Sequence, residues 1–252
     1  MTDLIIRKSH PIVEAGYKLS IAEQRIILLS LAKLDNRNTE QSKVTLYAMD
    51  YARTFGLSEK TAYTELSKAS KRLYERSIVL KGEDETTEFR WIESRTKYHK
   101  GEGRISFEFS RRVLPYLFEL DKKLGYTQYE LLSVSGFTSN YSIRIYELAV
   151  KLLGMRNQSI SVEELRRILQ LETKYKEFRE LNKFVIKVAV NEINEKSDLL
   201  LNIAPLKQGR KVVALEFKVT KKTKSLTSKK TDSSRIIYGV FEEKSRPQVA
   251  KN

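Results

Sequence analysis

Catalysis in this 252-residue chain would have to be built from two histidines, thirteen tyrosines, many scattered acids and no cysteine. A DNA-nicking centre needs paired histidines on a metal beside a tyrosine nucleophile, but His10 and His99 lie far apart in the sequence. A cradle for nucleotide phosphates needs glycines that let backbone N–H groups converge ahead of a Lys-Ser/Thr pair. Glu59-Lys60-Thr61 supplies the pair without the glycines and sits at a helix start. No spacing of Asp and Glu marks a two-carboxylate metal site. No catalytic residue, metal or cofactor is therefore expected.

The remaining chemistry is recognition of a polyanion. Lys plus Arg number 47 against 32 Asp plus Glu, a formal charge of +15 with a pI near 9.7. Such an excess attracts nucleic acid, the commonest polyanion in cells. A membrane surface would require a basic amphipathic helix with exposed Trp or Phe, whereas the one Trp, Trp91, sits in a strand-like run. No run approaches the roughly 18 apolar residues of a membrane span. MTDLIIRKSHPIVEAG has Asp3 early and too short an apolar run for a signal peptide. With no cysteine to oxidise, a cytoplasmic location and no membrane partner are expected.

One stretch, YKEFRELNKFVIKVAVNEIN, residues 175–194, sets a basic face, diluted by Glu177 and Glu180, beside an apolar one. Phe178, Leu181, Val185, Val188 and Ile193 fall at helical spacing and suit a core, while Lys176, Arg179, Lys183 and Lys187 recur on another face. A merely solvated helix shows the same pattern, so the surrounding elements must decide. LSIAEQRIILLSLAKLD (19–35) reads as a helix with Ser20 and Glu23 as a capping box and a stripe of Ile27, Leu28 and Leu31. VTLYAMDYARTFGL (44–57) reads as a strand and a helix closed by Gly56, and Ser58 opens another helix with Ala62, Leu66, Ala69 and Leu73 inward. TEFRWIES (87–94) and GRISFEFS (103–110) read as a hairpin around the tip 97–103, followed by a helix in RRVLPYLFELDKKL (111–124).

The pattern then starts again, with helices at 139–154, 161–171 and the basic stretch, and a second hairpin around KQGR (207–210). Tyr51, Phe55 and Leu57 have the spacing of Leu165, Leu169 and Leu171. Tyr51, Tyr74, Tyr141 and Tyr146 fit packing, whereas Tyr175 is suited to touching DNA. Helices followed by a hairpin are the order of a winged helix, a helix-turn-helix variant. The expected fold is therefore α+β: tandem winged-helix domains at 1–124 and 125–220, then a basic, flexible tail at 221–252. The expected DNA contacts in the first domain are Lys60, Thr61, Tyr63, Thr64 and Lys68 on the helix from Ser58, with Lys97, Lys100 and Arg104 at its hairpin. The second hairpin offers Lys207, Arg210 and Lys211 for phosphates.

YKLSIAEQRIILLSLAKL, DYARTFGLSEKTAYTEL, KYHKGEGRISFEFSRRVLPYLFEL, NYSIRIYELAVKL and VNEINEKSDLLL, in this order, resemble the replication initiators of theta-replicating, iteron-bearing bacterial plasmids. The resemblance spans about residues 10–220. It implies two winged helices that grip one repeated double-stranded DNA site at an origin, with Lys174, Tyr175, Lys176, Arg179 and Lys183 on the segment that reads bases. Where the family often has a basic run after the Phe, this chain has Phe178-Arg179-Glu180. The resemblance also implies an initiating monomer, a dimer joined through the first domain that represses its own gene, and partners in the host initiator and replicative helicase. A repressor with no role in replication and a DNA-nicking enzyme are the alternatives.

Overall fold

Local capping signals set the helix boundaries of the first half. In the computed structural model, which describes residues 4–34, 42–98, 103–118 and 125–222, β1 (Ile5–Ser9) and α1 (His10–Glu14) lead into α2 (Ile21–Lys33). The Ser20 hydroxyl accepts from the Glu23 N–H, and the Glu23 carboxylate accepts from the Ser20 N–H at 2.7 Å. Such a capping box stabilises a helix start by about 1 kcal/mol. Every residue from Ala22 to Leu31 is buried, so α2 is enclosed on all sides rather than along the expected stripe. After β2 (Lys43–Tyr47), α3 (Ala48–Phe55) ends at Gly56, whose φ of 65° suits glycine, and the Leu57 N–H returns to the Ala52 carbonyl. Then α4 (Glu59–Leu73) buries Ala62, Leu66, Ala69 and Leu73 as the spacing requires.

The run expected as one strand at 87–94 breaks at Trp91. Strand β3 (Ser77–Lys81), missed in the sequence, pairs with β4 (Thr86–Arg90), while β5 (Ile92–Lys97) pairs with β6 (Arg104–Phe109). Trp91 sits between them, fully buried, with the Tyr17 ring edge-on at 5.1 Å and its backbone N–H donated to the Arg76 carbonyl. Burying that indole turns the chain out of one ladder and into the next. The helix expected at 111–124 is described only as α5 (Leu114–Phe118), with Pro115 in its first turn, where its missing N–H costs nothing. Residues 119–124 lie outside the described residues, as do the hairpin tip at 99–102 and the chain beyond Lys222.

The second half follows β7 (Tyr126–Glu130) and α6 (Leu132–Ser135) with α7 (Asn140–Leu152), β8 (Ser159–Ser161) and α8 (Val162–Leu169). The basic stretch forms α9 (Phe178–Leu181), a π-helical turn (Asn182–Ile186) and α10 (Lys187–Lys196) before the hairpin β9 (Leu199–Gln208) and β10 (Lys211–Lys221). The strand orders β2-β6-β5 and β8-β10-β9 are the same. Each repeat is thus a winged helix with a three-stranded sheet; β2 lies where a strand was expected at 44–57, but its counterpart β8, three residues long, is too short for a periodicity to show. The spacing match holds in detail: Gln170, like Gly56, takes a left-handed φ (53°), and the Leu171 N–H returns to the Arg166 carbonyl as Leu57 does to Ala52. Tyr51 and Tyr146 are core and Tyr141 packs against it, but Tyr74 is 38% exposed beneath the Arg90 guanidinium.

A buried ionic cluster joins the N-terminal segment to α7. Antiparallel pairing of β1 with β7 brings Lys8 to Glu147 at 2.6 Å. The same carboxylate accepts from the Tyr129 hydroxyl at 2.6 Å and from Arg144, which also donates to the Ala15 carbonyl and to the Tyr17 hydroxyl. Lys8, Arg144 and Glu147 are all buried. Burial by itself would raise the Glu147 carboxyl, but Lys8 and Arg144 beside it and its hydrogen bonds from Lys8 and Tyr129 hold it below the usual carboxylate range.

Candidate nucleic-acid interface

The second half presents its basic residues through one arginine. Beyond α8 the chain turns through residues 171–177, and Arg166 sits inside that turn. Its guanidinium donates to the carbonyls of Leu171 (3.3 Å), Lys174 (3.1 Å), Tyr175 (2.7 Å) and Lys176 (2.9 Å). Five N–H donors in a rigid fork suit this wrapping, which the point charge of a lysine could not reproduce. The clasp holds Tyr175 at φ 53°, a conformation that costs a non-glycine residue about 1 kcal/mol or more. Lys174, Tyr175 and Lys176 therefore stand on a loop before the helix, whereas the sequence pattern placed Tyr175 at the helix start. The helix begins only at Phe178, after Glu177.

The π-helical turn inserts one extra residue into the helix and rotates the residues beyond it. Leu181, Val185 and Ile193 point inward as expected, but Ile186 and Ala189 continue the buried stripe between them and Val188 is left exposed. Arg179, Lys183, Phe184, Lys187 and Val188 are all exposed on the rest of the helix. Phe184, 47% exposed, stacks on Tyr175 with centroids 5.6 Å apart, and ammonium groups of Lys174 and Lys183 lie over the two rings. The Tyr175 hydroxyl, then the nearby Tyr141, holds the Lys174 ammonium above its ordinary value. The structure thus brings Lys174, Tyr175 and Lys183 together around Phe184. On the adjoining hairpin, Gly209 at φ 60° makes the turn and leaves Lys207, Arg210 and Lys211 exposed at the tip.

In the first half, Lys60, Thr61, Tyr63, Thr64 and Lys68 are all exposed on α4. The two threonines already have local partners: Thr61 accepts from the Ser58 hydroxyl at 2.8 Å, and Thr64 donates to the Lys60 carbonyl at 2.9 Å. Lys97 is exposed at the end of β5, and Arg104 opens β6 with its guanidinium 4.1 Å from the Tyr98 ring centroid. Lys100 and His99 lie outside the described residues. His10 is the first residue of α1, below its ordinary value through partial burial and then Lys151. Among the described residues, no three His, Cys, Asp or Glu side chains gather as metal ligands, and no helix is long and apolar enough to cross a membrane.

Sequence pattern alone did not single out Arg166 or Phe184. The four carbonyls around Arg166 belong to backbone conformation, which side-chain spacing does not encode. Phe184 follows Lys183 in a stretch whose other apolar residues are mostly inward; a slip of one residue in the stripe was the only signal available.

Two winged helices in one chain, each with a basic third helix and a hairpin, make this a tandem winged-helix protein of the DNA-binding class. Residues 5–150 match the family model for the first winged-helix domain of initiator replication proteins, and residues 161–219 match that for the second. The chain belongs to this replication-initiator family, the one its sequence segments resemble. A replication initiation protein of Escherichia coli is 31% identical over 87% of the chain and 70% of its own length. The PI protein of Escherichia coli is 24% identical over 93% of the chain and 91% of its length. A crystal structure of Pi initiator protein in complex with iteron DNA shares the fold, with a TM-score of 0.75 and 24% identity over 88% of this chain and 99% of that one.

Proposed function

We propose that this chain starts plasmid replication by binding repeated double-stranded DNA sites at the origin, one winged helix in each of two successive major grooves. The observation that carries this reading is the repetition, within one family member, of the same three-stranded winged helix with an exposed basic third helix. Successive major grooves lie one helical turn apart, so two such units joined in one chain can share one site. In this reading segments 1–124 and 125–220 act as the two DNA-binding units, and the second supplies most of the base reading. Binding at adjacent repeats bends the duplex, and an AT-rich neighbour then opens at modest cost. No catalytic residue is needed: the cytoplasmic host initiator and replicative helicase, recruited to the open site, supply the ATP hydrolysis. Dimerisation through the first unit, and repression of its own gene by that dimer, complete the proposal. ATPase or strand-nicking activity in the pure protein would contradict it.

Roles within the second unit divide by position. In this reading Arg179, exposed in the first turn of the recognition helix, pairs with a guanine, which is worth about 1–3 kcal/mol of discrimination. Lys207 at the hairpin tip holds phosphate in the same reading. Arg179→Ala should therefore flatten the preference for the repeat over an unrelated duplex. Lys207→Ala should weaken both alike and reduce the slope of log K against log salt by about 1. Competition binding at several salt concentrations separates the two, and wild-type curves from both variants would refute the docking.

A further inference from the structure

We propose that Phe184, propped on Tyr175, reads thymine methyl groups in the major groove and so sets sequence preference for A·T pairs within the DNA site. This rests on the second unit being a DNA reader. A phenyl ring 47% exposed, flanked by Lys183 and the Tyr175–Lys174 pair, has no packing role for its outer half. It is nevertheless held in place: Tyr175 lies stacked against it at 5.6 Å and 23°, in a strained backbone conformation that Arg166 maintains through four carbonyls. Val188, 38% exposed and four residues further along, extends the apolar strip. Lys183 and Lys174, each within about 5 Å of a ring centroid, flank the strip with charges that suit phosphates on either side.

A helix in the major groove meets the edges of base pairs, not their faces, so it does not stack on them. Along those edges the thymine C5-methyl is the apolar group, and contact with an apolar side chain is how a protein senses it. An apolar ring between lysines fits that edge better than it fits a guanine or cytosine, whose groove edges are hydrogen-bonding groups.

The test uses the full chain and a duplex it selects from a randomised 20-base-pair library. Each thymine in that duplex is replaced singly by deoxyuridine, which removes the methyl and keeps every hydrogen-bonding group. At one or two positions uracil should weaken wild-type binding about fourfold, the effect of one methyl leaving an apolar contact. Phe184→Ala should bind thymine and uracil duplexes equally, and Phe184→Leu should retain part of the difference. A selected sequence with no uracil-sensitive position, or an undiminished sensitivity in Phe184→Ala, would overturn the thymine contact alone. Selection of no sequence at all would overturn the DNA-reading assignment beneath it.

Discussion

Replacing Glu147 with glutamine is expected to destabilise the protein by about 3–5 kcal/mol, because it strands two buried cations at once. Lys8 and Arg144 both lean on this carboxylate, and neither reaches water. Desolvation of an unpaired ammonium or guanidinium costs far more than the hydrogen bond that is lost. Urea unfolding measures the effect as a lower midpoint at an unchanged slope. Adding Lys8→Met to the variant should recover part of the loss, since one of the stranded charges goes with it. A loss below about 1 kcal/mol would mean that water reaches the cluster.

The same carboxylate gives the pH dependence its sign. Its folded pKa lies below its unfolded value of 4.5, so the stability it contributes is complete above pH 4.5 and drains away as the pH falls through the folded pKa. Glu23 and Glu192 are shifted the same way: burial would raise each, but the Ser20 N–H with Arg72 and Arg76, and the Thr138 and Ser139 groups with Ser142, outweigh it. Glu164 is lowered chiefly by its hydrogen bond from Arg167. The acid limb of unfolding should therefore be steep, and Glu147→Gln should make it shallower as well as lower.

Arg166→Met is expected to weaken site-specific DNA binding by about 2 kcal/mol, roughly 30-fold, while leaving the helices folded. Four carbonyls lose the guanidinium at once, of which Leu171's keeps the Lys174 N–H, and Tyr175 loses what keeps it at positive φ. The loop that carries Lys174 and Lys176 then samples many conformations, and ordering it on DNA must be offset by contacts that previously were free of that cost. Titration of one labelled duplex, beside circular dichroism of the free protein, checks both halves of the expectation. Arg166→Lys should fail nearly as badly, because an ammonium cannot span four acceptors. Unchanged binding by both variants would show that the loop plays no part at the DNA.

What could be read from the sequence was what neighbouring residues decide among themselves. The Ser20–Glu23 capping box, the Gly56 closure, the Gly209 turn and the inward face of α4 are local, and each is found where its residues place it. The repeat was legible because α3 and α8 end alike, at Phe55 and Leu169. Pairings over long separations were not. Nothing near Ile5–Ser9 announces a partner at Tyr126–Glu130, and nothing in 87–94 tells that Trp91 turns inward and splits the strand. The candidate site divides the same way. The basic residues could be picked out from their spacing, but the extra residue of the π-helical turn moved the stripe off Val188, and the clasp at Arg166 moved Tyr175 off the helix.

The central claim is that one chain grips one DNA site with two winged helices, at repeated sites. Nuclease footprinting on DNA from upstream of the chain's own gene, with salt titrated, tests it most directly. The account predicts protection of tandem segments of about 20 base pairs, two helical turns each, with affinity falling steeply as salt rises. Uniform protection of any duplex, equally sensitive to salt, would contradict it and leave the basic faces as charge alone.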